Sequence, residues 1–339
     1  MKTEPFGTVN DREAVLYTLE NSAGTRLALT DFGASVVSLV YRDTDVVLGW
    51  SSAGDYLKNA GTGMGATVGR NANRIGGAAF SIDGIAYELA KNDGENNLHS
   101  GPNGYHTRFW QVKQVEEDNI VFFLDSPDGD QGFPGHLQLW VTYILTENDE
   151  IHILYRGETD RATPVNITNH TYFNLNGQGS GSVLDHTLEL FAGRFTPSGP
   201  DLIPTGEIRG VEGTPFDFRR PHAIGRDIGT DDPLLTNARG YDHNFIVEGD
   251  GLRPGAILRG DRSGIRLEVL TDAPAIQLYT ANFLAGEAGK GGAVYAARTG
   301  VCLETQFCPN AVNVRAFASP IVRPGMEYRS ETVWRFFEW

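Results

Sequence analysis

The sequence predicts an all-β fold, an antiparallel sandwich or barrel with very little helix. Three observations indicate this: apolar and polar residues alternate along several segments, turn dipeptides separate those segments, and glycine is abundant, with 41 among 339 residues. That share is about 12%, against a typical ~7%. Many short strands joined by regular turns favour antiparallel sheets over alternating β/α units.

Alternation with a period of two predicts the individual strands. The clearest segments are His136–Glu147, Ile151–Arg156, Ile265–Leu270, Ala275–Phe283 and Val301–Phe307. Turn dipeptides lie between them, at Asp83-Gly84, Asn103-Gly104, Asp128-Gly129, Pro134-Gly135, Asp250-Gly251 and Pro324-Gly325. Helix is predicted only at Gly54–Asn59 and Asp231–Asn237.

The chain shows no internal repeat, low-complexity linker or break in composition, so we expect one domain over residues 1–339. The segment Ser198–Arg220 is rich in proline and glycine but varied. It predicts a long, structured loop, of the kind that often frames a binding cleft.

Composition excludes several classes of partner. The net charge of −15 repels nucleic acid and anionic membranes. No apolar run approaches the ~20 residues that span a bilayer, and the first residues lack the apolar core of a secretory signal. In an extended strand Cys302 and Cys308 would lie about 20 Å apart, too far for a disulfide. We therefore expect reduced thiols and a cytoplasmic location.

The run NITNHTYFNLNG, Asn166–Gly177, is the first candidate for function. In a strand, alternation would send Asn166, Thr168, His170 and Tyr172 to one face. That face would be a row of hydrogen-bonding groups with one imidazole able to exchange a proton near neutral pH. Such a surface suits a polar, uncharged ligand such as a sugar. The alternative is a core histidine bonded to a backbone carbonyl.

Glu304 is the second candidate. It lies in GVCLETQFCP, where an extended strand would place Cys302, Glu304 and Gln306 on one face. A carboxylate in so apolar a strand needs partners, because burying an unpaired charge is costly. One interpretation is a general base whose pKa burial raises above ~4.3. The other is a salt-bridged glutamate on an edge strand.

Polar residues in turn-rich segments are candidates for ligand binding. His99 lies in NNLHSGPNGYH, and Asn73 and Arg74 follow a glycine in ATVGRNANRIGG, which lacks the ending of a phosphate-binding P-loop. Arginine can donate paired hydrogen bonds to vicinal hydroxyls. Asp242, in GYDHNF, could accept from adjacent hydroxyls or form an Asx-turn.

Gln277 and Tyr279 share one face of the predicted strand AIQLYTANF. An aromatic ring can stack under the apolar face of a sugar while an amide bonds its edge. The alternative for both residues is ordinary sheet surface.

Motifs for other chemistry are missing from the sequence. The eight histidines show no HxH or HExxH spacing, and no CxxC is present, so no metal site is predicted. The serine-hydrolase elbow and the dinucleotide fingerprint are missing as well. We therefore expect no cofactor.

The segments that carry these candidates occur with others in a fixed order. They are DFGASVVSLV, DVVLGW, GATVGRNANRI, NNLHSG, DGDQGFPG, NITNHTYFNLNG, FTPSGPDLIPTGEIRGVEGTPFDFR, GYDHNF, PAIQLYTANF, GVCLETQFCP and PGMEYRSETVWRF. Together they resemble the aldose 1-epimerases (galactose mutarotases), over nearly the whole chain from Asp31 onward.

The resemblance implies a large antiparallel β-sandwich of the galactose mutarotase type, a supersandwich, with the sugar in an open cleft on one sheet. It implies an isomerase that interconverts the anomers of free aldoses without a cofactor. By resemblance Glu304 would be the general base and His170 the general acid. The residues implied to hold the sugar are Asn73, Arg74, His99, Asp242 and Gln277.

The expected chemistry is ring opening by acid and base. A carboxylate takes the proton of the anomeric hydroxyl while an imidazolium protonates the ring oxygen, and closure after rotation gives the other anomer. The two groups are expected to face each other across the ring, and the pH–rate profile to be bell-shaped.

Three rivals remain open at this point. A non-catalytic sugar-binding protein would need neither proton carrier. A hexose-6-phosphate 1-epimerase would need cations beside the cleft, for which Arg219, Arg220 and Arg226 are candidates. A glycoside hydrolase would use two carboxylates. The preferred aldose, and whether the protein is a monomer or a homodimer, are also open.

Overall fold

Strands dominate the chain, and the computed structural model describes all of residues 1–339. The strands of the first half are β1 (Lys2–Val9), β2 (Arg12–Glu20), β3 (Arg26–Thr30), β4 (Ser35–Tyr41), β5 (Thr44–Asp45), β6 (Thr67–Val68), β7 (Arg74–Ile75), β8 (Ala79–Ile82), β9 (Ile85–Glu88), β10 (Asn97–Leu98), β11 (Gln111–Val115), β12 (Asn119–Ser126), β13 (Leu137–Leu145), β14 (Glu150–Thr159) and β15 (Thr163–Pro164).

The second half continues with shorter pieces and ends in the longest strand. These strands are β16 (Thr168–Asn169), β17 (Tyr172–Phe173), β18 (Thr187–Leu190), β19 (Arg194–Thr196), β20 (Arg209–Gly210), β21 (His222–Ala223), β22 (Asp242–Ile246), β23 (Arg253–Arg259), β24 (Ile265–Thr271), β25 (Ala275–Tyr279), β26 (Ala285–Ala288), β27 (Val294–Ala296), β28 (Val301–Gln306), β29 (Ile321–Val322) and β30 (Glu327–Glu338). The two α-helices are α1 (Ala53–Lys58) and α2 (Pro233–Ala238).

Three sheets form the body of the molecule. The nine-stranded sheet has the order β11-β12-β13-β14-β30-β24-β23-β18-β21, the six-stranded sheet β17-β28-β25-β22-β19-β20, and the five-stranded sheet β1-β2-β3-β4-β5. Neighbouring strands within each of these sheets pair antiparallel, as in β13 with β14 and β25 with β28. The predicted antiparallel all-β fold is confirmed.

The alternating segments form the inner face of the nine-stranded sheet. Along β13 every second residue is buried, from Leu137 to Leu145, and β14 follows the same rule. The main hydrophobic core takes residues from all three large sheets. Period-two alternation marks these strands in the sequence because only one of their faces packs on the core.

The six-stranded sheet is covered on both faces at its centre. Every residue of β25 and of β28 is buried. One face, with Leu278 and Leu303, packs on the main core. The other face carries polar side chains, among them Gln277 and Glu304. The candidate functional site lies on this face.

The prediction of one strand through Asn166–Gly177 is wrong. The run contains only the two-residue strands β16 and β17, which pair with different partners, β6 and β28. The chain passes between sheets here, and its polar side chains make hydrogen bonds that pairing with a neighbouring strand would otherwise provide. The amide of Asn166 bonds to backbone of Ala72 and Phe307, and that of Asn169 to the Gly65 carbonyl. These asparagines are structural.

The predicted short helices, the Asp83-Gly84 turn and the free thiols are all present. Both helices form within a residue or two of the expected positions, and Asp83-Gly84 turns β8 into β9. Cys302 and Cys308 are free and buried. The Ser198–Arg220 segment contains β20, and none of its residues lines the cavity that contains His170 and Glu304. No helix combines the length and the hydropathy that crossing a membrane requires.

Candidate active site

A cavity of about 370 Å³ lies against the polar face of the six-stranded sheet. Small-molecule sites typically occupy ~300–1,000 Å³. All the predicted site residues except Gln277 line it. The lining consists of Lys58, Asn59, Gly61, Thr62, Asn73, Arg74, Leu98, His99, His170, Tyr172, Asp242, Tyr279, Phe283, Leu284, Glu287 and Glu304.

Strand register brings these side chains together. Residues opposite each other on antiparallel strands point to the same face. They form two rows across the sheet, Asn244–Gln277–Glu304 and Asp242–Tyr279–Cys302–Tyr172. His170 lies just before β17, and its Nε2 is 3.6 Å from Oε1 of Glu304 in the first row.

The Glu304 carboxylate and the His170 imidazole are neighbours in the cavity. Oε1 of Glu304 lies 3.6 Å from Nε2 of His170, and both side chains are almost fully buried. Oε2 of Glu304 is buried without a hydrogen-bond partner. Burial raises the pKa of Glu304 well above its ordinary value, the nearby Asp242 raises it further, and the positive charge of Arg74 opposes both. This unpaired oxygen is poised to accept a proton or hydrogen bond from a ligand.

Four side chains hold the His170 ring in place. Tyr172 stacks on it with ring centroids 5.1 Å apart, and His99 and Tyr279 meet it edge to face. Nδ1 contacts Sγ of Cys302 at 3.5 Å. Burial lowers the pKa of His170 to about 4. The ring is therefore neutral near pH 7 in the empty cavity.

Arg74 and Asp242 form an ion pair in the cavity lining. Nη1 of Arg74 lies 3.6 Å from Oδ2 of Asp242, while its Nε donates to Asp93 at 2.7 Å. Gln277 donates its amide to Oδ1 of Asp242 at 2.6 Å and accepts from Gln306. Gln277 is not among the residues that line the cavity, and both ends of its amide are engaged, so its contact with a ligand stays a prediction.

Asn73 and His99 form a strained corner of the cavity. Both have left-handed backbone conformations, with φ of 60° and 53°. The Asn73 backbone N–H donates to Nδ1 of His99 at 3.1 Å, so the proton of the neutral imidazole is on Nε2. Burial, with help from the charges of His170 and other neighbours, lowers the pKa of His99 well below its ordinary value. His99 is thus a neutral hydrogen-bond donor, and such strain is typical of functional sites.

One set of donor atoms has the composition of a metal site. One atom each from His170, Cys302 and Glu304 lie within 4.8 Å of one another. However, the two nitrogens of the ring face different neighbours, Cys302 and Glu304. An ion on the Nδ1 side of the ring would lie near Cys302 but away from Glu304, and an ion on the Nε2 side would lie near Glu304 but away from Cys302. The geometry therefore fits two separate contacts of the ring better than one shared metal ion.

Comparison with known proteins decides the family. The family model described as aldose 1-epimerase matches residues 15–335. The chain belongs to the aldose 1-epimerase family. The galactose mutarotase of Sus scrofa is 42% identical over 319 residues, covering 92% of this chain and 91% of that protein. The aldose 1-epimerase of Escherichia coli K12 is 38% identical over 330 residues, covering 95% and 94%.

Solved structures agree with this assignment. An aldose epimerase homologue from C. elegans superposes with a TM-score of 0.88 at 31% identity, covering 95% of this chain and 98% of that one. The galactose 1-epimerase of Lactobacillus acidophilus NCFM gives 0.88 at 28%, covering 99% and 98%. The galactose mutarotase-like sandwich is confirmed, and the chain is an isomerase, an aldose 1-epimerase.

Sequence reasoning missed several residues of this epimerase site. Lys58 and Glu287 at the rim, and the exposed Phe283 stacked on Tyr279, carry no recognisable signal in the sequence. Asp93 lies in a turn-forming stretch and looked like an ordinary turn residue. Cys302 could be placed on the Glu304 face by alternation, but its contact with His170 could not be foreseen.

Proposed function

We propose that this aldose 1-epimerase interconverts the α and β anomers of free aldohexoses such as D-galactose and D-glucose, with Glu304 as general base and His170 as general acid. The proposal rests on the 3.6 Å separation of these two proton carriers inside the main cavity. The naming of relatives as galactose mutarotases supports galactose as a substrate.

The reaction moves two protons. In the reactive form Glu304 is ionised and His170 carries a proton on both ring nitrogens. Glu304 then takes the proton of the anomeric hydroxyl, His170 donates Nε2–H to the ring oxygen, and the bond between that oxygen and the anomeric carbon breaks. Rotation about the bond between the first two carbons turns the aldehyde over. Closure returns each proton to its origin, so acid and base are regenerated. Each positioned transfer typically contributes ~10²–10⁴-fold.

One expectation changes in this proposal. Nε2 of His170 and Oε1 of Glu304 lie only 3.6 Å apart, too close to hold a sugar ring between them, so we propose that the two groups act side by side rather than across the ring. This suffices because the anomeric hydroxyl and the ring oxygen are bonded to the same carbon. A sugar that presents this edge to the pair could give one oxygen to each group.

The remaining predicted residues are assigned to binding. Arg74 and Asp242 offer donors and acceptors to ring hydroxyls, and Asn73 and His99 offer further polar contacts. Tyr279 provides an aromatic surface beside them. We assign Gln277 a different role from the one expected, which is to hold Asp242 in place.

No observation favours a sugar phosphate as substrate. Arg219, Arg220 and Arg226 line a separate cavity together with Glu212 and Asp217. In the main cavity Arg74 is already paired with Asp93 and Asp242. Besides Lys58, the lining carries the carboxylates of Asp242, Glu287 and Glu304, so a phosphate there would meet more carboxylates than free cations.

Polarimetry on freshly dissolved α-D-galactose and α-D-glucose tests the proposal. Glu304→Gln and His170→Asn should each lower kcat by about a hundredfold or more, because each removes one proton transfer. Glu117→Gln, at an exposed glutamate outside the cavity, is the matched control and should behave as wild type. Near-normal turnover in a folded Glu304→Gln or His170→Asn protein would refute the role of that residue.

Two further measurements address the rivals. Tight galactose binding without faster mutarotation in the wild-type protein would indicate a sugar-binding protein. Release of a chromogenic aglycone would indicate a glycosidase using Glu304 and Asp242.

A further inference from the structure

The His170 ring has a polar contact on the side that faces away from Glu304. Sγ of Cys302 lies 3.5 Å from Nδ1, and Cys302 is fully buried. Nε2, on the opposite side of the ring, faces Glu304 and the cavity. Each nitrogen therefore has one neighbour with its own chemistry.

Packing alone does not determine which of two orientations, related by a half-turn of the ring, His170 adopts. A half-turn about the Cβ–Cγ bond exchanges nitrogen and carbon positions but leaves the ring outline nearly unchanged. The stacking on Tyr172 and the edge contacts with His99 and Tyr279 depend mainly on that outline. The carbon edge packs near Gly63, where a Cβ would come within 3.2 Å of Cδ2. The thiol is thus the contact that distinguishes nitrogen from carbon on this side.

The thiol is also protonated. Burial raises the pKa of Cys302 well above its ordinary value, and the nearby charges of Glu304 and Asp242 raise it further. A protonated thiol can donate to Nδ1, and the proton of a neutral imidazole must then be on Nε2. When the imidazole carries both protons, Nδ1–H donates and the sulfur accepts. The contact can persist through both states.

We propose that Cys302 is a positioning residue for the epimerase reaction: it fixes the tautomer of the neutral His170 ring and, once the ring is protonated, holds the orientation that presents Nε2–H to the ring oxygen of the sugar. The inference rests on the proposed role of His170 as the acid. The thiol moves no proton to the substrate. It acts through the imidazole, as the third group of a catalytic triad orients its base.

Other titratable groups also act on this ring. Those facing it are Glu304, Cys302, Tyr172, Tyr279 and His99, with Asp242 and His106 contributing through their charges. A change in activity alone would not separate the thiol from this set. The test therefore reads the tautomer of His170 directly.

Three variants and two measurements test the proposal. Cys302→Ala removes the contact, Cys302→Ser restores a group that can donate and accept, and Cys308→Ala removes the other buried thiol as a control. One hydrogen bond contributes ~0.5–1.5 kcal/mol, so kcat of Cys302→Ala should fall about tenfold with little change in KM. Cys302→Ser should recover most of that loss, and Cys308→Ala should match wild type.

Nitrogen-15 NMR of the histidine rings gives the second readout, with His170→Asn identifying the signal. Wild type and Cys302→Ser should show the proton on Nε2, and Cys302→Ala should show a mixture of tautomers. Equal impairment of the Ala and Ser variants, or an unchanged tautomer in Cys302→Ala, would overturn the proposal. If Cys302→Ala does not fold, a folded Cys302→Ser protein with low kcat would overturn it as well.

The two proposals fail in different ways. An active His170→Asn protein refutes His170 as the acid, and with it this inference. An inactive His170→Asn protein beside a wild-type-like Cys302→Ala protein refutes only the role of Cys302.

Discussion

Burial shifts the two proton carriers in opposite directions. It raises the pKa of Glu304 and lowers that of His170 to about 4, so in the empty cavity Glu304 is protonated and the His170 ring is neutral. The reactive form has the same total number of protons, with one fewer on Glu304 and one more on His170. Arg74 favours that form, because its positive charge stabilises the Glu304 carboxylate. Binding of the sugar needs to move one proton, not to take one from solvent.

The pH dependence should reflect this sharing. Activity requires one proton on the pair, so kcat should stay flat through neutral pH. It should fall as the pair gains a second proton near pH 4, and again above the raised pKa of Glu304. Polarimetric kcat between pH 3 and 10 checks this. A limb centred at the ~6.5 of an ordinary histidine would contradict it.

Glu304 should also cost stability. A carboxyl whose pKa is raised by folding favours the folded state in its neutral form, so the penalty appears as pH rises above ~4.5 and grows up to the folded pKa. Glu304→Gln should therefore raise the free energy of unfolding at pH 8, with little gain at pH 4. Denaturant titrations at both pH values measure it. A gain of the same size at both would show that charge is not the cause.

At the scale of elements, the site is a product of strand pairing. The strands β22, β25 and β28 bring Asp242, Gln277 and Glu304 onto one face, in adjacent positions. The chain of amides from Asn244 and Gln306 through Gln277 to Asp242 runs across the strands. A change in one strand should thus act on a neighbour in another.

Gln277→Leu tests this coupling. Asp242 would lose its 2.6 Å donor and its fixed orientation, so KM for galactose should rise about tenfold while kcat changes less. Steady-state kinetics on galactose separates the two constants. Gln114→Leu, an exposed glutamine on the edge strand β11, is the matched control and should leave both unchanged. A fall in kcat with constant KM would place Gln277 nearer the chemistry.

At the scale of the whole molecule, β30 is the central strand of the nine-stranded sheet. It pairs with β14 on one side and β24 on the other, joining the two halves of the nine-stranded sheet. Thr332 on this strand contacts Thr305 on β28, next to Glu304. The core that takes residues from all three large sheets supports the prediction of one domain over residues 1–339.

The two tryptophans near the C-terminus should respond differently to truncation. Trp334 is 2% exposed in the core, whereas Trp339 is 60% exposed. Trp334→Ala should lower the free energy of unfolding by about 3–5 kcal/mol, and Trp339→Ala by less than about 0.5 kcal/mol. Equilibrium unfolding in denaturant measures both. Similar losses in the two variants would contradict the burial of Trp334, a residue of β30, in the core.

Much of the fold could be predicted because alternation is a local signal. β13, β14, β24 and β28 follow the predicted segments closely. The Asn166–Gly177 run was mispredicted because its polar residues replace ladder bonds at a crossing between sheets, which no local pattern marks. The strand predicted over Ala275–Phe283 ends at Tyr279, since the chain turns there with a left-handed Ala281.

The sequence by itself determined the fold class, the family and which residue types could move protons or bind hydroxyls. The fold class and the candidate residue types follow from short-range periodicity and from the chemistry of each side chain, and the family follows from the ordered segments that resemble the aldose 1-epimerases. Only the tertiary structure decided which groups touch. Cys302 meets His170 across 132 residues of chain, and Gln277 reaches Asp242 rather than the cavity. The physical reason is that register between distant strands, set by packing of the whole sandwich, determines those contacts.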